Sequence, residues 1–132
     1  MNNPESVKPV EVADVLGTPT SLEVSVEDAE KNKVYGILAY VGPFWLLQML
    51  FAQESPYAKY HANQGLVLFL TEIAVSIITF AGLLIPFIGI IFYLIHVAFY
   101  LVFLVLMVIG IINAAAGKCV PLPVIGGIKL LK

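Results

Sequence analysis

Residues 73–117 contain no Asp, Glu, Lys or Arg. As a single helix, about 45 residues at about 1.5 Å each would run roughly 70 Å, more than twice the hydrocarbon core of a bilayer. The run must fold back on itself, and Pro86-Phe87-Ile88-Gly89 supplies the breakers near its middle. Two membrane helices are therefore expected, over about residues 65–85 and 90–112. A further uncharged stretch, residues 34–52, has about 19 residues and reaches about 28 Å, which predicts a first span with a kink at Gly42-Pro43.

Composition agrees with this reading. Of the 132 residues, 60% are hydrophobic and 12% charged, and the mean hydropathy is +0.95. A soluble domain is about a quarter charged, so this chain cannot cover a globule of its own size with polar surface. The expected fold is an all-α polytopic membrane bundle of three transmembrane helices preceded by an acidic, disordered N-terminal tail. Residues 1–30 form that tail, residues 31–118 the membrane domain, and residues 119–132 an interfacial C-terminal segment, with two prolines and two glycines in a stretch too short to span.

The charge is divided along the same line. Glu5, Glu11, Asp14, Glu23, Glu27, Asp28 and Glu30 face only Lys8 in the first thirty residues, while the rest of the chain is net positive. The head reads as neither a secretory signal nor a transit peptide, which would carry a basic start or many Arg. Ser25 followed by Asp28 resembles a capping box, so order is expected to begin there. With seven Lys, no Arg and a net charge of −2, no basic surface for nucleic acid is expected. Three spans would put Lys31 and Lys33 on one side and Lys59, Lys118, Lys129 and Lys132 on the other. The positive-inside rule then favours a cytoplasmic C-terminus in a bacterial plasma membrane.

Ser55 and Pro56 predict the N-cap and first position of the second helix. On that helix His61, Gln64, Glu72, Ser76 and Thr79 share one face, within about 60° of His61 at about 100° per residue. Polar groups concentrated in this way meet other helices or line a wet crevice. Glu72, the one acid inside a predicted span, reads either as a proton- or cation-handling carboxylate, or as a carboxyl hydrogen-bonded between helices. Pairing Pro86 with Gly89 puts His96 level with Thr79, about 10 Å along the axis from Glu72, and so argues against a direct His96–Glu72 relay. The same register sets Asn113 opposite Ala62, hence near His61, Asn63 and Gln64, a polar knot that either contacts a partner or serves ordinary interhelical bonding. Gly110 and Ala114 form a small-residue pair that admits a close neighbour.

Catalytic and metal-binding arrangements are not found: there is no nucleophile elbow, phosphate loop or His/Cys cluster with ligand spacing. The expectation is a protein that is not an enzyme, with no cofactor and no metal. Its partners would be the lipid bilayer, further copies of the chain or other membrane subunits.

Tyr35-Gly36-Ile37-Leu38-Ala39-Tyr40, then Ser55-Pro56-Tyr57-Ala58-Lys59-Tyr60-His61-Ala62-Asn63-Gln64-Gly65, and finally Pro123-Val124-Ile125-Gly126 carry a resemblance. The chain resembles a family of small bacterial multi-pass membrane proteins of unknown function that is similar to the plastid inner-envelope (Tic-like) protein-import component. Lys59, Tyr60, His61, Ala62 and Gln64 are the most specific part, with Lys59 where Arg is common and Gly65 where Ala is common. The resemblance implies a membrane-embedded helical hairpin bundle and suggests a non-enzymatic, translocon-like component of a membrane assembly. The alternative is a small channel or proton-coupled carrier in which Glu72 titrates. Lys59, His61, Gln64, Glu72, His96 and Asn113 are the candidate functional residues.

Overall fold

The computed structural model describes residues 25–130; of the acidic tail expected over residues 1–30, residues 1–24 lie outside the described residues, and residues 26–30 are helical, not disordered. The regular elements among the described residues are all helices, and residues 116–130 are turns and irregular chain. Helix α1 (Val26–Lys31) and α2 (Lys33–Leu38) are followed by a 3-10 turn (Gly42–Trp45), then by α3 (Leu46–Phe51), α4 (Pro56–Leu83) and α5 (Gly89–Ala115).

Among the described residues two helices, not three, are long and apolar enough to cross a membrane. At 28 and 27 residues, α4 and α5 are each about 40 Å long, sufficient for the hydrocarbon core and part of one interface. They pack as an antiparallel hairpin across a turn in which Phe87 takes a positive φ of 65°. Only 28% of the most apolar stretch of α4 and 17% of that of α5 is buried within the chain. The remaining Ile, Leu, Val and Phe side chains face outward, as lipid-facing helices do.

The expected first span over residues 34–52 is not one helix. Val41 is extended (φ −104°, ψ 94°), Gly42 turns left-handed (φ +52°) and Pro43 opens the 3-10 turn, so the α2 hydrogen-bond ladder stops instead of kinking. The chain then reverses. On the way in, α2 runs along α4: Gly36 lies against the Tyr57 ring and the Ala39 carbonyl lies against Gly65. At the tip, Gly42 shares a cleft with Phe69 and Glu72, and Trp45 packs near Phe69 with ring centroids 6.4 Å apart. On the way out, α3 returns residues 50–55 to the level of α1, where both line a cleft of about 570 Å³. Residues 33–51 are thus a re-entrant hairpin.

This changes the topology. Residues 25–40, the start of α4, the end of α5 and the C-terminal segment all meet at one end of the molecule. Lys31 and Lys33 therefore lie on the same side as Lys59, Lys118 and Lys129, and the uncharged turn after α4 lies at the other end.

Candidate functional site

The polar end is built around the first turns of α4. Ser55 caps the helix: its hydroxyl accepts from the Ala58 N–H at 3.0 Å and donates to Asp28 Oδ1 at 2.6 Å. The other Asp28 oxygen accepts from the Tyr57 N–H at 3.0 Å. Ser25 does cap α1, accepting from the Asp28 N–H at 3.1 Å. The Asp28 carboxylate, however, does not return to its own helix start. It places a negative charge at the positive end of the 28-residue α4, where dipole and free N–H groups favour an anion.

One turn further along, His61 is fully buried. Its Nε2 faces the Lys118 carbonyl at 2.9 Å, which can only accept, so the proton sits on Nε2. Nδ1 then accepts from the Tyr40 hydroxyl at 2.7 Å. The imidazole is a neutral bridge from the re-entrant hairpin through α4 to Lys118, three residues beyond α5. Tyr40, Tyr57 and Tyr60 meet its ring edge to face, with centroids 4.7 to 5.6 Å away. The Tyr57 hydroxyl donates to the Ala114 carbonyl and Tyr40 packs on Gly110, so the neighbour admitted by this small-residue pair is the chain itself.

Asn63 and Gln64 hold the C-terminal segment. Gln64 donates to the Gly126 carbonyl at 2.8 Å and accepts from the Leu122 N–H at 3.0 Å. Asn63 donates to the Ile128 carbonyl at 2.8 Å and accepts from the Leu130 N–H at 2.6 Å. Two adjacent amides thereby satisfy four main-chain groups that a strand-like segment would otherwise expose. Cys119 is buried with Ala29 and Tyr57 at the same junction. Burial, with the Asp28 carboxylate as a second cause, pushes its thiol up to about 12.

Of the residues singled out in the sequence, His61 and Gln64 enter this lock through their side chains. Asn113 takes part through its carbonyl, which accepts from the Lys118 N–H at 2.9 Å. Lys59 is half-buried on α4 outside the described bonds of the lock. His96 lies 2.9 Å from Thr79 Oγ1. Because the Thr79 hydroxyl can donate to the Val75 carbonyl, its oxygen is left to accept from His96 Nδ1. Asp28, Tyr40, Tyr57 and Asn63 join the lock although sequence reasoning did not rank them as site residues. Asn63 carried a signal as a member of the expected polar knot, and Asp28 as part of a local cap, although its true partner is 27 residues away.

Glu72 stands apart from this network. It lines a cleft of about 270 Å³ between α4, α5 and the re-entrant tip, together with Tyr40, Phe69, Tyr100 and Phe103. A second groove, of about 410 Å³, continues from it along α4 past Ile73, Ile77 and Phe80. Among the described residues Glu72 makes no hydrogen bond or ion pair, and no group of three or more His, Cys, Asp or Glu is placed to hold a metal.

Residues 32–131, covering the re-entrant hairpin, both spans and the polar lock apart from Asp28, match the magnetosome magnetite crystal formation protein family. The chain belongs to that family. It is accordingly a small helical membrane protein, as its two uncovered apolar helices also indicate. The match gives no support to a likeness with the plastid import component. No curated protein and no solved structure matches the chain.

Proposed function

We propose that this magnetosome-family protein is a non-enzymatic scaffold of a membrane assembly, and that it takes part in forming a magnetite-bearing membrane compartment. The observation that carries the reading is the internal saturation of the polar end. His61, Asn63, Gln64 and Asp28 spend their hydrogen bonds on the chain's own backbone and side chains. Such a site fixes shape, presenting the N-terminal and C-terminal segments together on one rigid end. It offers little free polar surface to a passing polypeptide, which weighs against an import or translocon role. Lysines 31, 33, 59, 118 and 129 gather at this end, and by the positive-inside rule it faces the cytoplasm.

The test is complementation. In a magnetite-forming host that lacks its own member of the family, the full chain is expected to co-purify with the magnetite-bearing membranes and to restore crystal size. Unchanged crystals, with the protein spread evenly over all membranes, would overturn the reading. A channel or proton-coupled carrier is the second reading, favoured by the placement of Glu72 in a cleft. Two spans do not enclose a pore, so that reading requires several copies and a conductance or proton flux that Glu72→Gln abolishes.

A further inference from the structure

Glu72 is a carboxylate at membrane depth for which the described residues provide no cation. The nearest lysine along α4 is Lys59, about 20 Å away by helical rise. An intramembrane acid is costly unless something compensates it, and none of the described residues does so. A bare divalent ion is a poor fit, since hard cations collect several oxygen ligands and the cleft supplies one carboxylate. Four of its other lining side chains are aromatic, Tyr40, Phe69, Tyr100 and Phe103, beside Leu68, Leu104 and Met107. A carboxylate among aromatic rings is the chemistry that recognises an organic ammonium, by charge and by cation–π attraction.

Two neighbouring features suit a lipid. The groove past Ile73, Ile77 and Phe80 leads from Glu72 along α4 toward the bilayer centre, the path of an acyl chain. At the head of both clefts lies Gly42, whose N–H has no acceptor among the described residues and is available to a phosphate oxygen. The helix break at Gly42 also brings polar main chain to this depth, which is tolerated where it lines a cavity. We propose that the Glu72 cleft binds the ammonium headgroup of an aminophospholipid, with one acyl chain in the adjoining groove. This site is independent of the scaffold reading and stands or falls without it.

Native mass spectrometry of the full-length protein, offered equal amounts of phosphatidylethanolamine and phosphatidylglycerol with identical acyl chains, tests the proposal. The wild type is expected to retain the ethanolamine lipid about tenfold more, and Glu72→Gln to bring the two to near parity. Glu54→Gln, an exposed acid at the polar end, is expected to leave the preference intact. Continued protection of Cys119 from thiol reagents shows that each variant is folded. Should Glu72→Gln lose that protection, Tyr100→Leu replaces it and is expected to lower the preference about threefold. Equal retention of the two lipids by the wild type, or an undiminished preference in the folded variant used, overturns the site. Soluble phosphoethanolamine in excess is expected to leave the lipid in place; displacement by it would overturn the lipid assignment in favour of a free small ligand.

Discussion

The Asp28 carboxylate accepts a 2.6 Å hydrogen bond from the Ser55 hydroxyl, joining the first described helix to the start of the first membrane span. With Ser55 accepting from the Ala58 N–H and Asp28 from the Tyr57 N–H, two side chains from separate helices cap α4 together. The cap also closes the re-entrant hairpin, because residues 29–54 lie between its two members. Asp28→Ala removes an ionic acceptor from three donors at once, the Ser55 hydroxyl, the Tyr57 N–H and the Asn32 amide, and is expected to cost about 2 kcal/mol. Asp28→Asn, which keeps an acceptor but loses the charge, should cost about half as much. Thermal unfolding in detergent, compared across the two variants, reads both numbers; equal losses would mean that charge contributes nothing.

Gly65 is where α2 and α4 come closest. A Cβ at this position would collide with the main-chain carbonyl of Ala39, and backbone cannot swing aside as a flexible side chain can. The glycine here permits close packing. Gly65→Ala is expected to displace the hairpin and to destabilise the fold by about 1–3 kcal/mol, despite the better helix propensity of alanine. Faster proteolysis within residues 38–54 would accompany the lower melting temperature. An unchanged or raised melting temperature would show that α2 does not pack against α4 in the membrane.

Cys119 has 0% exposure, and its thiol is pushed from an ordinary value of 9.0 up to about 12. Both effects suppress the thiolate, the form that reacts. The folded protein should therefore resist maleimide at neutral pH from either side of the membrane, and labelling should appear only on denaturation. Cys119 thus cannot report topology by itself. The linkage has a definite sign: between pH 9 and 12 the folded state holds a proton that the unfolded chain releases, so stability falls as pH rises through that window. Replacing Cys119 with Ala should flatten the fall.

The hairpin of α4 and α5 was legible because an uncharged run too long for one crossing admits few solutions, and helical rise alone set its register. That register puts Thr79 level with His96, where the structure has Oγ1 and Nδ1 2.9 Å apart. Residues 34–52 misled because length and apolarity do not distinguish a span from a helix that turns back. The deciding feature was the left-handed φ of Gly42 before Pro43, a conformation that glycine permits and does not require. The lock was half legible. His61 and Gln64 stood out as polar groups on a membrane helix, but apart from the Tyr40 hydroxyl their partners are main-chain groups at Lys118, Leu122 and Gly126, and main-chain groups leave no mark in side-chain pattern.

The re-entrant hairpin makes a topological prediction that a three-span chain cannot share. Single cysteines at Glu30, Phe87 and Lys129, each exposed, can be placed in a Cys119→Ala background. Two spans put positions 30 and 129 on one side and position 87 on the other. Three spans would pair position 30 with position 87 and set position 129 opposite. An impermeant maleimide applied to intact spheroplasts and to inverted vesicles distinguishes the two by which pair labels together. With five lysines gathered at the end that carries residues 30 and 129, those positions should label in the inverted vesicles and position 87 in the spheroplasts. Labelling of 30 and 129 together but from the outside would keep the hairpin and reverse its orientation. Labelling of 30 with 87 would return residues 34–52 to a full crossing and separate Asp28 from Ser55, which their 2.6 Å hydrogen bond forbids.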